Sequence, residues 1–176
     1  MSRSERRRFH VFAQFIHETF SEAKSIADVA GGVGILSYYL HKLGHNPTII
    51  DSRLTRLTNY YRRRLRKQSL KEGRDIQIKR LVKRVEEIDL SAFDLIVALH
   101  PDQATEHAVR AAIKHSKSFA IVPCCVLAID GISRSQEGWT EYLSSLAPDV
   151  ARATLPMDGA NVVLYRKICN SSDSRA

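Results

Sequence analysis

The stretch Ile26-Ala27-Asp28-Val29-Ala30-Gly31-Gly32-Val33-Gly34-Ile35-Leu36 leaves this chain little choice of fold. It reads as a short buried strand running into a glycine-rich turn and then into a helix. Glycines there let backbone N–H groups approach a ligand where any side chain would block it. Asp28 stands at the end of the strand. A second acid, Asp51, closes the next apolar run, Thr48-Ile49-Ile50. An acid at that distance is placed to accept the hydroxyl hydrogens of a ribose. The pattern begins a nucleotide-binding α/β fold, and the expected ligand carries an adenosine. Asp28, Ala30, Gly31, Gly32, Gly34, Asp51, Ser52 and Arg53 are the candidate binding residues. The plainer alternative is a glycine turn that only lets a helix pack on a sheet.

The rest of the chain supports an α/β sheet. Phe9, Phe12, Ile16 and Phe20 follow near-helical spacing, which predicts an amphipathic helix over 4–20, with Ser2 and Glu5 as a capping box. The arginine-rich start also suits a mitochondrial address, but Glu5 and the apolar face favour a structural helix. A second helix is expected from Ile35 to Leu43, and a second strand from Pro47 to Asp51. Leu54, Leu57, Tyr61 and Leu65 mark the face of a third helix, ended by Gly73. Period-two alternation from Ile76 to Val82 predicts a third strand. The continuous apolar run Phe93–Leu99 reads as a central parallel strand. A helix over Gln103–His115 follows, then a fifth strand at Phe119–Val122. Trp139, Tyr142, Leu143 and Leu146 share a helix face, and Ala151–Leu155 with Asn161–Lys167 forms a β-hairpin. One domain over 1–169 with a frayed tail over 170–176 is expected.

Composition narrows the classes. A chain of 176 residues with 44% hydrophobic residues can build a core. No apolar run approaches a membrane span, and the first apolar run carries His17 and Glu18, unlike a signal peptide. The three cysteines are Cys124, Cys125 and Cys169, and the adjacent pair suits no ordinary disulfide framework. A reducing, intracellular compartment is expected, compatible with cytoplasm, mitochondrion or nucleus. With no C-x-x-C and no H-E-x-x-H, no metal site is expected.

The net charge of +8 is concentrated. Residues 53–84 hold thirteen basic residues and two acids, a net +11, so the remainder is net negative. Such a segment points to a polyanion. Arg62, Arg63, Arg64, Arg66 and Lys67, beside Tyr60 and Tyr61, are the candidate RNA contacts, and a ribosomal or other RNA–protein partner follows from that reading. The bland alternative is a solvated helix face with Tyr61 in the core.

In an open α/β sheet the ligand sits beyond the carboxyl ends of the strands. Two further strand ends carry chemistry: His100-Pro101-Asp102 and Pro123-Cys124-Cys125. His100 is a candidate general base, because its pKa lies near working pH. Its alternative is a histidine held by backbone hydrogen bonds. Asp102 is a candidate catalytic acid and also a candidate helix N-cap. Pro101, Cys124 and Cys125 are expected to line the substrate pocket, with a cysteine nucleophile disfavoured. Glu86 or Glu87 is the candidate acid on the adenine side.

Asp28-Val29-Ala30-Gly31-Gly32-Val33-Gly34 resembles motif I of class I S-adenosylmethionine (SAM)-dependent methyltransferases, in the form D-x-A-G-G-x-G. The rival dinucleotide fingerprint, G-x-G-x-x-G, needs a third glycine where Ser37 stands. Leu99-His100-Pro101-Asp102-Gln103-Ala104-Thr105-Glu106 with Pro123-Cys124-Cys125 is similar to a small group within that class, and more distantly to tRNA ribose methyltransferases. The resemblance implies a Rossmann-like sheet, mostly parallel with a C-terminal antiparallel hairpin strand, and helices on both faces. It implies SAM as cofactor and methyl transfer to RNA, tRNA or rRNA. The alternatives are a methyltransferase fold without turnover that serves as an RNA-bound assembly factor, and a methyltransferase acting on a protein or small molecule.

Overall fold

The computed structural model describes residues 3–168. The chain runs α1 (Arg3–Thr19), β1 (Ser25–Val29), α2 (Ile35–Lys42), β2 (Asn46–Ile50), α3 (Asn59–Glu72), β3 (Lys79–Leu81), β4 (Leu95–Leu99), α4 (Thr105–Lys114), β5 (Ser118–Val122), α5 (Gln136–Ser145), β6 (Ala151–Thr154) and β7 (Val162–Arg166). Seven strands form one sheet in the order β3-β2-β1-β4-β5-β7-β6. Strands β1 to β5 are parallel, and β7 enters antiparallel between β5 and β6. The predicted C-terminal hairpin is present.

The apolar runs explain the layering. In β4 the alternate residues Leu95, Val97 and Leu99 face a core with Phe12 and Ile16 of α1 and Leu36 and Leu40 of α2. Their neighbours Ile96 and Ala98 face the other core, with Val109 of α4 and Trp139 and Leu143 of α5. Both sides of a parallel strand are thus covered, which is why the run is apolar without interruption. Helix α3 lies further out and buries Tyr61 and Leu65 against Ile35 and Tyr38 of α2. Among the described residues no helix is long and apolar enough to cross a membrane.

Four expectations need correction. Helix α3 begins at Asn59, so Leu54 and Leu57 lie in the preceding loop, and Leu54 is exposed. The third strand spans only Lys79–Leu81, because the ladder to β2 covers only Thr48, Ile49 and Ile50. The helix expected from Gln103 opens instead as a 3-10 turn, Asp102–Ala104, and α4 proper starts at Thr105. Asp102 caps nothing with its side chain; its carboxylate is engaged elsewhere. The capping box at Ser2 and the tail at 170–176 lie outside the described residues.

Candidate active site

The glycine turn is braced from below. Asp28 ends up 1% exposed, beneath the loop, where Ser37 Oγ donates to it at 2.6 Å. Ser37 occupies the third-glycine position of the dinucleotide pattern, so the residue that breaks that fingerprint is the one that satisfies the buried acid. A Cβ at Gly31 would collide with the Asp28 carboxylate, and one at Gly34 with Ile49. Gly34 also has φ +88, a conformation that side chains disfavour. Burial pushes the Asp28 carboxyl up to about 7, against the opposing pull of its Ser37 hydrogen bonds and the Arg80 charge.

The end of β2 ties into the same loop. Asp51 Oδ2 accepts from the Gly32 N–H at 2.9 Å, and Oδ1 accepts from the Arg53 N–H at 2.9 Å. The Arg53 guanidinium, largely exposed, donates to both carboxylate oxygens. Burial raises the Asp51 pKa, but these Arg53 and Gly32 contacts outweigh it and hold the carboxyl below its ordinary value. On the far side, Thr55 Oγ1 and Arg80 Nη2 both donate to the Gly32 carbonyl. Arg80 Nη1 is buried with no hydrogen-bond partner.

A cleft of about 480 Å³ opens over the carboxyl ends of β1, β2 and β4. Val29, Ala30, Asp51, Ser52 and Arg53 form one side; Val85 and Glu86 form the end beyond β3; Pro101, Asp102 and Cys125 form the floor toward β5. Of the two candidate acids after β3, Glu86 lines the cleft and is paired with His107 of α4, whereas Glu87 turns back to the Arg84 N–H. A larger cavity of about 920 Å³ lies between α3 and β3, lined by Leu57, Leu65, Arg66, Ile76 and Arg80. It lies behind the glycine turn, away from the strand ends.

His100 leaves the strand at φ +53 and turns toward α1 and the β6–β7 connection, outside this cleft. Its Nε2 donates to the Ala160 carbonyl at 2.8 Å, and its Nδ1 faces Arg8 Nη1 at 3.4 Å. Burial, with the Arg8 charge, lowers its pKa despite the opposing Ala160 bond, so the ring is neutral at physiological pH. Cys124 and Cys125 are not core residues: Cys124 is half-buried and Cys125 exposed, and both thiols donate to Asp102 Oδ1. Burial and the Asp102 carboxylate push the Cys124 thiol up to about 12. A thiol held so far from its thiolate is a poor nucleophile.

Sequence reasoning missed several residues. Ser37 was visible only as a fingerprint breaker. Arg8, Thr55, Arg80 and Ala160 are distant in sequence from the motif, and nothing local marks them. Glu106, fully buried, accepts from the Ile129 N–H, Tyr142 Oη and Arg110; the motif resemblance included it, but nothing in the sequence gave it this role.

The comparisons with known proteins agree with this architecture. Residues 6–131 match the family described as a methyltransferase domain. The chain belongs to that family, and its class is the class I, SAM-dependent methyltransferases. Three solved structures are similar. A magnesium protoporphyrin IX methyltransferase from Synechocystis PCC 6803 with bound SAM has TM-score 0.60 and 14% identity over 92% of this chain and 78% of its own. An O-methyltransferase family protein from Burkholderia thailandensis has TM-score 0.56 and 13% identity, over 91% of this chain and 56% of its own. A plantazolicin methyltransferase with SAH has TM-score 0.52 and 14% identity, over 86% and 68%. No curated protein matches the chain.

These findings correct the expectation of an RNA or ribosomal partner. Where the similar structures are named for an acceptor, it is magnesium protoporphyrin IX or plantazolicin, and neither is a nucleic acid. The local geometry agrees. Part of the basic excess is engaged within the chain: Arg53 with Asp51, Arg80 with the Gly32 carbonyl and Arg74 with Glu72, while Arg64 lies over the Tyr60 ring. Tyr61 is buried rather than offered for stacking. Arg62, Arg63, Arg66 and Lys67 are an exposed helix face.

Proposed function

We propose that this methyltransferase acts on a small-molecule acceptor, within a single catalytic domain. The observation that carries the reading is the cleft of about 480 Å³ over the strand ends, bounded by the glycine turn and Asp51. That size suits one cofactor with a compact acceptor. The acceptors named for the similar Synechocystis and plantazolicin enzymes are likewise not nucleic acids.

The residues present fit SAM. Gly31 and Gly34 let the turn pack tightly on Asp28 and Ile49, while Gly32 faces open space. Ala30 brings the loop to the cleft edge. Asp51 is placed to accept the ribose hydroxyls in exchange for part of its contact with the largely exposed Arg53 guanidinium. Ser52 and Arg53 flank that position, and Glu86 lies at the adenine end. When bound, SAM supplies a methyl group on a sulfonium, with a good leaving group built in. The chain's own part is alignment and exclusion of water. His100 lies outside this cleft, bonded to the Ala160 carbonyl and facing Arg8, so it is assigned no part in the transfer. Pro101, Asp102, Cys124 and Cys125 border the acceptor side.

Calorimetric titration tests the cofactor site. Wild type should bind SAM, and Asp51→Ala should weaken it roughly tenfold to a hundredfold, the loss of one or two charge-assisted hydrogen bonds. Arg62→Gln/Arg63→Gln/Arg66→Gln should leave it unchanged. A folded Asp51→Ala protein with wild-type affinity would place the ribose elsewhere.

A further inference from the structure

Strands β4 and β5 run side by side with Leu99 opposite Val122, so the segments that follow them meet. From one comes Asp102, at φ +48; from the other come Cys124 and Cys125. Adjacent residues on extended chain point to opposite sides. Here a bend at Cys125 turns both sulfurs to the same oxygen: Cys124 Sγ lies 3.0 Å and Cys125 Sγ 3.5 Å from Asp102 Oδ1. One donor atom from each residue falls within 4.8 Å of the others. The Asp102 carboxylate oxygen accepts hydrogen bonds from both thiols, across the gap between the segments that follow β4 and β5. The absence of C-x-x-C hid this arrangement, because the third donor comes from another strand end.

We propose that Asp102, Cys124 and Cys125 form a binding site for a thiophilic divalent cation of the zinc type. The donor set is two sulfurs and one carboxylate oxygen. In a zinc tetrahedron, bonds of about 2.3 Å to sulfur and about 2.1 Å to oxygen put sulfur and oxygen roughly 3.5 Å apart, close to the spacing found here. The cation replaces two protons. Both S–H bonds break, the protons pass to solvent, two metal–sulfur bonds and one metal–oxygen bond form, and nothing is oxidised or reduced. The charge of the site is unchanged, since two positive charges enter and two protons leave. Three protein ligands leave one tetrahedral position open, the arrangement of reactive rather than structural zinc sites. Asp102 and Cys125 line the cleft, so the open position faces the space assigned above to the acceptor. An oxygen, nitrogen or sulfur atom of an acceptor would complete the coordination there.

The test is cobalt uptake, which does not depend on methyl transfer or on the acceptor. Tag-free, reduced protein is titrated anaerobically with Co²⁺, with Cys169→Ser as the reference so that only two thiols remain. A thiolate-to-cobalt charge-transfer band should grow to one equivalent and be bleached by Zn²⁺. Calorimetry in buffers of different ionisation enthalpy should show about two protons released per cation at pH 7. Adding Cys124→Ser and Cys125→Ser together should abolish the band while far-UV circular dichroism stays unchanged. Asp102→Ala should keep the band but weaken binding. No band in the reduced reference protein overturns the proposal. So does a band that survives in the double-serine variant.

Discussion

Asp28 and Ser37 carry more of the site's character than either shows in the sequence. The acid is fully buried, and the Ser37 hydroxyl and backbone hydrogen bonds do not offset the loss of water around its charge. Its folded pKa of about 7 lies above the ordinary 3.8, so between those values the folded chain holds a proton that the unfolded chain has released. Stability from this group is therefore full below about pH 4, declines as pH rises toward 7, and is flat above. Asp28→Asn keeps the acceptor for Ser37 and removes the titration. Its melting temperature relative to wild type should be higher at pH 8 than at pH 5. Equal differences at the two pH values would mean that the carboxylate is compensated by a group other than those named. The acid before the glycines was legible from motif spacing alone. Its burial was not, because burial depends on Ile49 and Ser37 closing over it from two other elements.

At the scale of elements, the connections hold the site in place more than the helices and strands do. The segment after Cys125 has no regular structure up to α5, yet Glu106 of α4 holds it through the Ile129 N–H and ties α5 through Tyr142. Burial raises the Glu106 pKa, but the Ile129, Tyr142 and Arg110 contacts outweigh it and leave the carboxyl below its ordinary 4.5. Its contribution is therefore present above about pH 4.5 and is lost as pH falls through the lowered folded value. Glu106→Ala strands three donors at once and should cost about 3 kcal/mol, or roughly 10 °C in melting temperature. Glu106→Gln should cost less, because it keeps an acceptor for the Ile129 N–H. A loss under about 2 °C for the alanine variant would show that the loop holds itself. Strands β1, β2, β4 and β5 and helices α1, α2 and α5 were legible from their apolar runs and periods, whereas β3, with only Leu81 apolar, was drawn too long. The start of α3 was not: Leu54 and Leu57 keep a helical spacing, but the Thr55 hydroxyl is spent on the Gly32 carbonyl and holds that stretch out of a helix.

At the scale of the whole molecule, one sheet separates two apolar layers. Phe12 and Ile16 of α1 pack on one side, Trp139 and Leu143 of α5 on the other, and the same strands supply both. If the sheet makes one cooperative domain, a lesson in one layer must be felt in the other. The chain offers a direct probe, because Trp139 is its sole tryptophan and is fully buried. Phe12→Ala, on the opposite face, deletes a ring that is 0% exposed and should cost about 3–5 kcal/mol. Thermal unfolding followed by Trp139 fluorescence should then move down by roughly 10–15 °C and still coincide with the far-UV circular dichroism transition. Separation of the two transitions, with the fluorescence midpoint left in place, would divide the layers into independent units. In that case the α1 side, which carries Arg8 to His100, could open without disturbing the side that carries Glu106. Coincident transitions would instead couple the acceptor side of the site to the stability of the entire sheet.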